Sequence, residues 1–235
     1  MTESILGILN PTLNTLKGFK ILHNVLKKEG TLLESGICTL HNDLIRYQCS
    51  SNIQKLLSDW QKLPPSDLNM ACFRPLSIFN SNCSDAISMH SIGHIAVTCF
   101  GVINNISEMS EELTLYGYQL DNENVAETLC YLLNTYLDSN CFSPVEAMQA
   151  MITNLKGRFA IMALVMRGKW LMVECRGYPL VIGKNNQTVY LSTDAETLVR
   201  FSPSKILVVK KTKPSKFCAT SFQSKIILLN LEDML

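Results

Sequence analysis

Phe159-Ala160-Ile161-Met162-Ala163-Leu164-Val165-Met166, then Arg167-Gly168-Lys169, then Trp170-Leu171-Met172-Val173-Glu174-Cys175 is the stretch that decides the fold. Two apolar runs of strand length, separated by a short Gly-containing polar turn, predict a β-hairpin. Downstream, Pro179 to Gly183 and Val189 to Ser192 flank Asn185-Asn186 and predict a second hairpin. Ile206–Val209 and Ile226–Leu229 read as the closing strands.

Upstream, the period changes. Val125, Leu129, Leu132, Leu133 and Tyr136 share one helical face within a helix from about Glu123 to Asp138. Ser143-Pro144-Val145-Glu146 is a capping box with Pro at the first helical position, opening a helix that buries Met148, Met151, Ile152 and Leu155. Glu108–Leu115 predicts a shorter helix, and Ile95–Phe100 a buried strand. Residues 66–94 show no persistent period and read as loop. Ile53, Leu56, Leu57 and Trp60 mark a short helix stopped by Pro64-Pro65. Gly36–Leu40 and Leu44–Tyr47 read as strands. Leu13, Leu16, Phe19, Leu22, Val25 and Leu26 mark an amphipathic helix, and Ser4–Leu9 a buried opening strand. Helices fall in pairs and strands in runs. That is an α+β pattern of antiparallel sheets covered by helices, not a doubly wound parallel sheet.

Composition narrows the function. The chain has 235 residues, 21 Lys+Arg against 20 Asp+Glu, 47% hydrophobic and 17% charged residues. It is too apolar for disorder and too evenly charged to suggest nucleic-acid binding. No run reaches membrane-spanning length, and no cationic segment precedes the first apolar run. A cytoplasmic protein with nine mostly buried, reduced cysteines is expected. Sequons at Asn82, Asn105 and Asn186 read as chance matches. No break or repeat divides residues 1–235, which read as one domain.

Several ordered motifs then converge: Gly7 in the opening strand, Glu34-Ser35-Gly36, Ile95 to Asn105, Leu115-Tyr116-Gly117-Tyr118, Leu155 to Ala160, Gly177-Tyr178-Pro179-Leu180-Val181-Ile182-Gly183, and Leu191-Ser192-Thr193-Asp194. In this order they resemble the glutaminase domain of class II glutamine amidotransferases, and most closely that of glucosamine-6-phosphate synthases. The resemblance implies the four-layer αββα sandwich of N-terminal-nucleophile hydrolases, with no sugar-isomerase half.

The same resemblance locates where the chemistry would be. The family's N-terminal Cys, which attacks the glutamine amide with its own amine as base, falls at Glu3. Its oxyanion-hole Asn falls at Phe100, followed by Gly101. Its ammonium-binding Asp falls at Val125. Its carboxylate-binding Arg lies near Arg74. A side chain without a donor at Phe100 would cost roughly 100–1000-fold in rate. The expectation is an inactive relative repurposed for binding, structure or regulation, with a protein partner or self-association, no cofactor and no metal. An apolar cleft lined by Phe100, Val125 and Cys99 would support that role.

Two alternatives stand beside it. Thr2, exposed as N-terminal residue by Met1 removal, is a candidate nucleophile for an atypical amidohydrolase. A sensor could hold an amino acid or sugar phosphate through Arg74 and Gly101 without turnover. His90-Ser91-Ile92-Gly93-His94 could share a metal only on a helix, and Gly93 argues against one. Lys205, Lys210, Lys211, Lys213 and Lys216 form a basic patch read as a solvated strand edge.

Overall fold

A computed structural model describes residues 4–9, 33–41, 44–50, 53–60, 68–75, 88–120, 124–139, 142–166, 170–185, 188–193, 195–199, 205–209 and 227–230. The helix expected over Leu13–Leu26 lies outside these residues.

Among the described residues, twelve strands form two antiparallel sheets. The first holds β1 (Ser4–Leu9), β2 (Leu33–His41), β3 (Leu44–Ser50), β4 (Leu68–Pro75), β9 (Leu180–Asn185), β10 (Thr188–Ser192) and β11 (Lys205–Val209). Their order is β11-β9-β10-β1-β4-β2-β3. The second holds β5 (Ser88–Ile92), β6 (Ile95–Ile103), β7 (Gly157–Val165), β8 (Trp170–Arg176) and β12 (Ile227–Asn230), in the order β12-β8-β7-β6-β5. The deciding hairpin is β7–β8, with Phe159 opposite Arg176 and Val165 opposite Trp170.

The sheets pack face to face because alternate residues of both are apolar. Cys38, Leu40, Met70, Cys72, Val189 and Leu191 of the first meet Met89, Ala96, Met162, Leu164, Leu171 and Val173 of the second. At the centre, a Cβ on Gly7 would lie 2.8 Å from Met162 Sδ and 3.1 Å from Leu171 Cδ2. Glycine there lets β1 approach the facing sheet.

The other residue set of the second sheet, including Val97, Ile161, Ala163 and Met172, is covered by α2 (Ile106–Leu115), α3 (Val125–Asp138) and α4 (Pro144–Asn154). The first sheet carries α1 (Ile53–Trp60) beside β2 and β3, and α5 (Ala195–Val199) beside β9 and β10. The architecture is the expected αββα sandwich. No helix among the described residues is long and apolar enough to cross a membrane.

The loop expected over 66–94 is a correction. β4 and β5 both lie within it. β4 sits between β1 and β2, so neighbouring strands satisfy its backbone on both edges whatever its own propensity. The strands read at Gly36–Leu40 and Leu44–Tyr47 extend further, to Leu33–His41 and Leu44–Ser50, in one hairpin register. α5, five residues long, has too short a period to be read from sequence. His90 stands in β5 and His94 in the turn after it, so the two share no helix face.

Candidate functional site

The candidate site is built near the C-terminal end of β6, where Gly101 is paired with Phe159 of β7. Gly101 has φ +96°, and a Cβ there would meet the Arg158 carbonyl oxygen and Tyr178 Cε2. Only glycine fits both the conformation and the space. Beside it, the Phe100 ring lies 4.5 Å from the Tyr178 ring, centroid to centroid. Arg158 stacks over the other partner of this pair, its guanidinium carbon 5.5 Å from the Tyr178 centroid. Its Nη2 donates to the Gly177 carbonyl at 3.2 Å. Gly177, at φ +81°, turns the chain after β8 so that Tyr178 reaches Phe100.

The base of this corner is pinned by Asn105, which is 4% exposed. Its Nδ2 donates to the Asn154 carbonyl at 2.9 Å, and its Oδ1 accepts from the Lys156 N–H at 2.8 Å. These bonds tie the β6–α2 turn to the end of α4 and leave no exposed amide at this sequon. The sequons at Asn82 and Asn186 lie outside the described residues. Arg176 caps the same helix, donating to the carbonyls of Leu155 at 2.6 Å and Ile152 at 3.2 Å, and lies over the Phe159 ring.

Val125 opens α3 and is half-buried against the cluster between helices and sheet. Cys99 is buried in that same cluster, whereas Phe100 packs against the cluster between the two sheets. The expected single cleft lined by Phe100, Val125 and Cys99 is therefore corrected. Cys99 and Phe100 are consecutive in a strand and point to opposite faces.

Arg74 is on β4, paired with Glu34 of β2. The preceding residue, Phe73, pairs with Ser4, the first residue of β1. The strand register thus brings the Arg74 position to the end of the sheet where β1 begins. Thr2 and Glu3 lie outside the described residues, as do Lys210, Lys211, Lys213 and Lys216. Lys205 begins β11.

Sequence reasoning missed a second polar group. Glu127, in the first turn of α3, holds its carboxylate 3.9 Å from His90 Nε2. Burial pushes the His90 imidazole below its ordinary pKa, and Glu127 opposes that only in part. The Tyr131 and Tyr47 rings flank the imidazole at 6.1 and 6.5 Å. The 37-residue gap between partners on different elements left no sequence signal. Among the described residues, no three His, Cys, Asp or Glu side chains are grouped to hold a metal.

The comparisons agree with this architecture. No family model matches the chain. Over 110 residues (46% of this chain) it is 36% identical to the glutamine–fructose-6-phosphate aminotransferase (isomerizing) of Bradyrhizobium diazoefficiens, covering 18% of that protein. Over 173 residues (72% of this chain) it is 30% identical to the Bartonella henselae enzyme of the same name, covering 28% of it. The chain thus spans less than a third of the curated relatives it matches. Among solved structures, the glutamine phosphoribosylpyrophosphate amidotransferase from B. subtilis superposes with a TM-score of 0.67 at 13% identity, over 97% of this chain and 49% of that one. At that identity the likeness is one of fold.

Proposed function

We propose that this chain, a relative of the glutaminase domain of class II glutamine amidotransferases, acts by binding rather than by hydrolysing glutamine. The observation that carries the reading is the Phe100–Tyr178 stack, 4.5 Å between centroids, at the position where the resemblance puts an oxyanion-hole asparagine. An aromatic ring offers no hydrogen bond to a developing oxyanion. The role left to such a domain is regulation or scaffolding through a protein partner or a second copy.

The test is glutamate release from L-glutamine by the purified chain, beside Thr2→Val and a class II glutamine amidotransferase as positive control, with intact mass reporting the N-terminal residue. The expected outcome is no release above the buffer blank. Release that disappears in Thr2→Val would make Thr2 a nucleophile and overturn the proposal. Release that persists in Thr2→Val would overturn it too, by placing catalysis elsewhere.

A further inference from the structure

Three sulfur atoms from three strands converge on one point between the sheets. A Cβ on Gly36 would lie 2.9 Å from Cys49 Sγ, 2.9 Å from Cys72 Sγ and 3.1 Å from Met89 Sδ. Gly36 pairs with Cys49 on one side and with Cys72 on the other, so the two thiols flank it in a cross-strand row. Met89 reaches the same space from β5 of the facing sheet. The two thiol sulfurs therefore cannot be further apart than twice 2.9 Å.

A disulfide does not explain the pair. Cys49 and Cys72 stand on the two neighbours of β2, two interstrand spacings apart, or about 9–10 Å. A disulfide tolerates at most about 7 Å between Cα atoms. A metal ion can span what an S–S bond cannot, since metal–thiolate bonds are about 2.3 Å each.

We propose that Cys49, Cys72 and Met89 form a three-coordinate site for a soft monovalent cation, Cu(I), beside Gly36, whose missing side chain lets the three sulfurs close on one another. Two thiols and a thioether are the donor set that selects Cu(I). Zn(II) favours four nitrogen, thiolate or carboxylate ligands in a tetrahedron, and a thioether does not serve it. Entry is from the sheet edge, where Cys49 is exposed on β3 and its S–H donates to the Tyr47 hydroxyl at 3.2 Å. With two ligands in one sheet and one in the other, a bound ion cross-links the layers.

The test is anaerobic titration of the intact, reduced chain with Cu(I) against a chromophoric Cu(I) chelator, with X-ray absorption and thermal melting on the loaded protein. Expected are one ion per chain, sulfur-only coordination at about 2.3 Å, and a rise in melting temperature by mass action. Cys49→Ser and Cys72→Ser are each expected to weaken binding by at least roughly 100-fold, and Met89→Leu by roughly 10-fold, the range metal-site changes produce. Cys175→Ser, at a thiol on β8, is expected to bind as the wild type. Cys49 is at the surface and Met89→Leu conserves volume, so both variants remain informative if Cys72→Ser does not fold. Equal Cu(I) binding by wild type and folded Cys49→Ser overturns the site. So does wild-type binding no tighter than that of Cys49→Ser, or nitrogen and oxygen coordination. Zn(II) held as strongly as Cu(I) overturns the metal assignment.

Discussion

At the scale of single residues, Glu174 is the side chain most at odds with its surroundings. It lies in β8 at 2% exposure, and its Oε2 has no hydrogen-bond partner. Burial raises its pKa, and the nearby Arg176 lowers it less. A carboxyl whose folded pKa lies above its unfolded value favours folding most when protonated. Its penalty grows as pH rises from the unfolded value, about 4.3, through the raised folded value, and is complete above that. Glu174→Gln removes the charge and keeps the shape. A gain of roughly 2–4 °C in melting temperature at pH 7 is expected, as ~1 kcal/mol gives in a chain of this size. The gain should vanish near pH 4. Melting curves of both proteins at the two pH values check this, and a less stable variant at pH 7 would refute it. Glu174 carried no warning in the sequence. Its apolar neighbours marked a buried strand, but which face lay beneath α4 depended on packing.

At the scale of elements, α4 shows what local sequence can specify. The Glu146 N–H donates to Ser143 Oγ at 3.3 Å, and Glu146 Oε2 accepts from the Ser143 N–H at 2.8 Å. The motif is local, so the chain carries its own instruction for the helix start. Ser143→Ala is expected to cost about 1 kcal/mol, measured by urea unfolding. The Glu146 carboxyl is held below its ordinary pKa by the Ser143 N–H and hydroxyl. Its contribution is thus present above the ordinary carboxylate value and lost as pH falls through the lowered one. The cost of Ser143→Ala should accordingly shrink in acid. β4 is the contrasting element. It reads as loop because its stability comes from the strands on either side, which are distant in sequence.

For the molecule as a whole, the two sheets meet closely at Gly7. An added methyl would press on the flexible ends of Met162 and Leu171, which can yield. Gly7→Ala is therefore expected to cost less than Gly7→Val, whose branched side chain would overpack the centre by about 1–3 kcal/mol. Denaturant unfolding of the pair measures the difference, and equal costs would show that the sheets are free to separate there. Tyr47 closes the open side of the sandwich. Its hydroxyl donates to the Met89 carbonyl at 2.7 Å, linking the edge strands β3 and β5. Edge strands need such cover.

The sequence by itself determined the periodic elements: the β7–β8 hairpin, α3, and α4 with its cap. Period and capping are local, and the chain within each stretch suffices to favour them. It also determined the ordered motifs that mark the relatives, from Gly7 to Ser192. The tertiary structure decided what depends on face and neighbour. Strand alternation separated Cys99 from Phe100, and the packing of α3 put Val125 on the helix side with Cys99, although a linear reading had placed all three in one cleft. Sheet closure set His90 beside Glu127, and brought Cys49, Cys72 and Met89 to one point above Gly36. Spacing along the chain carries no record of these meetings, because each joins strands or helices that only the packing of two sheets brings together.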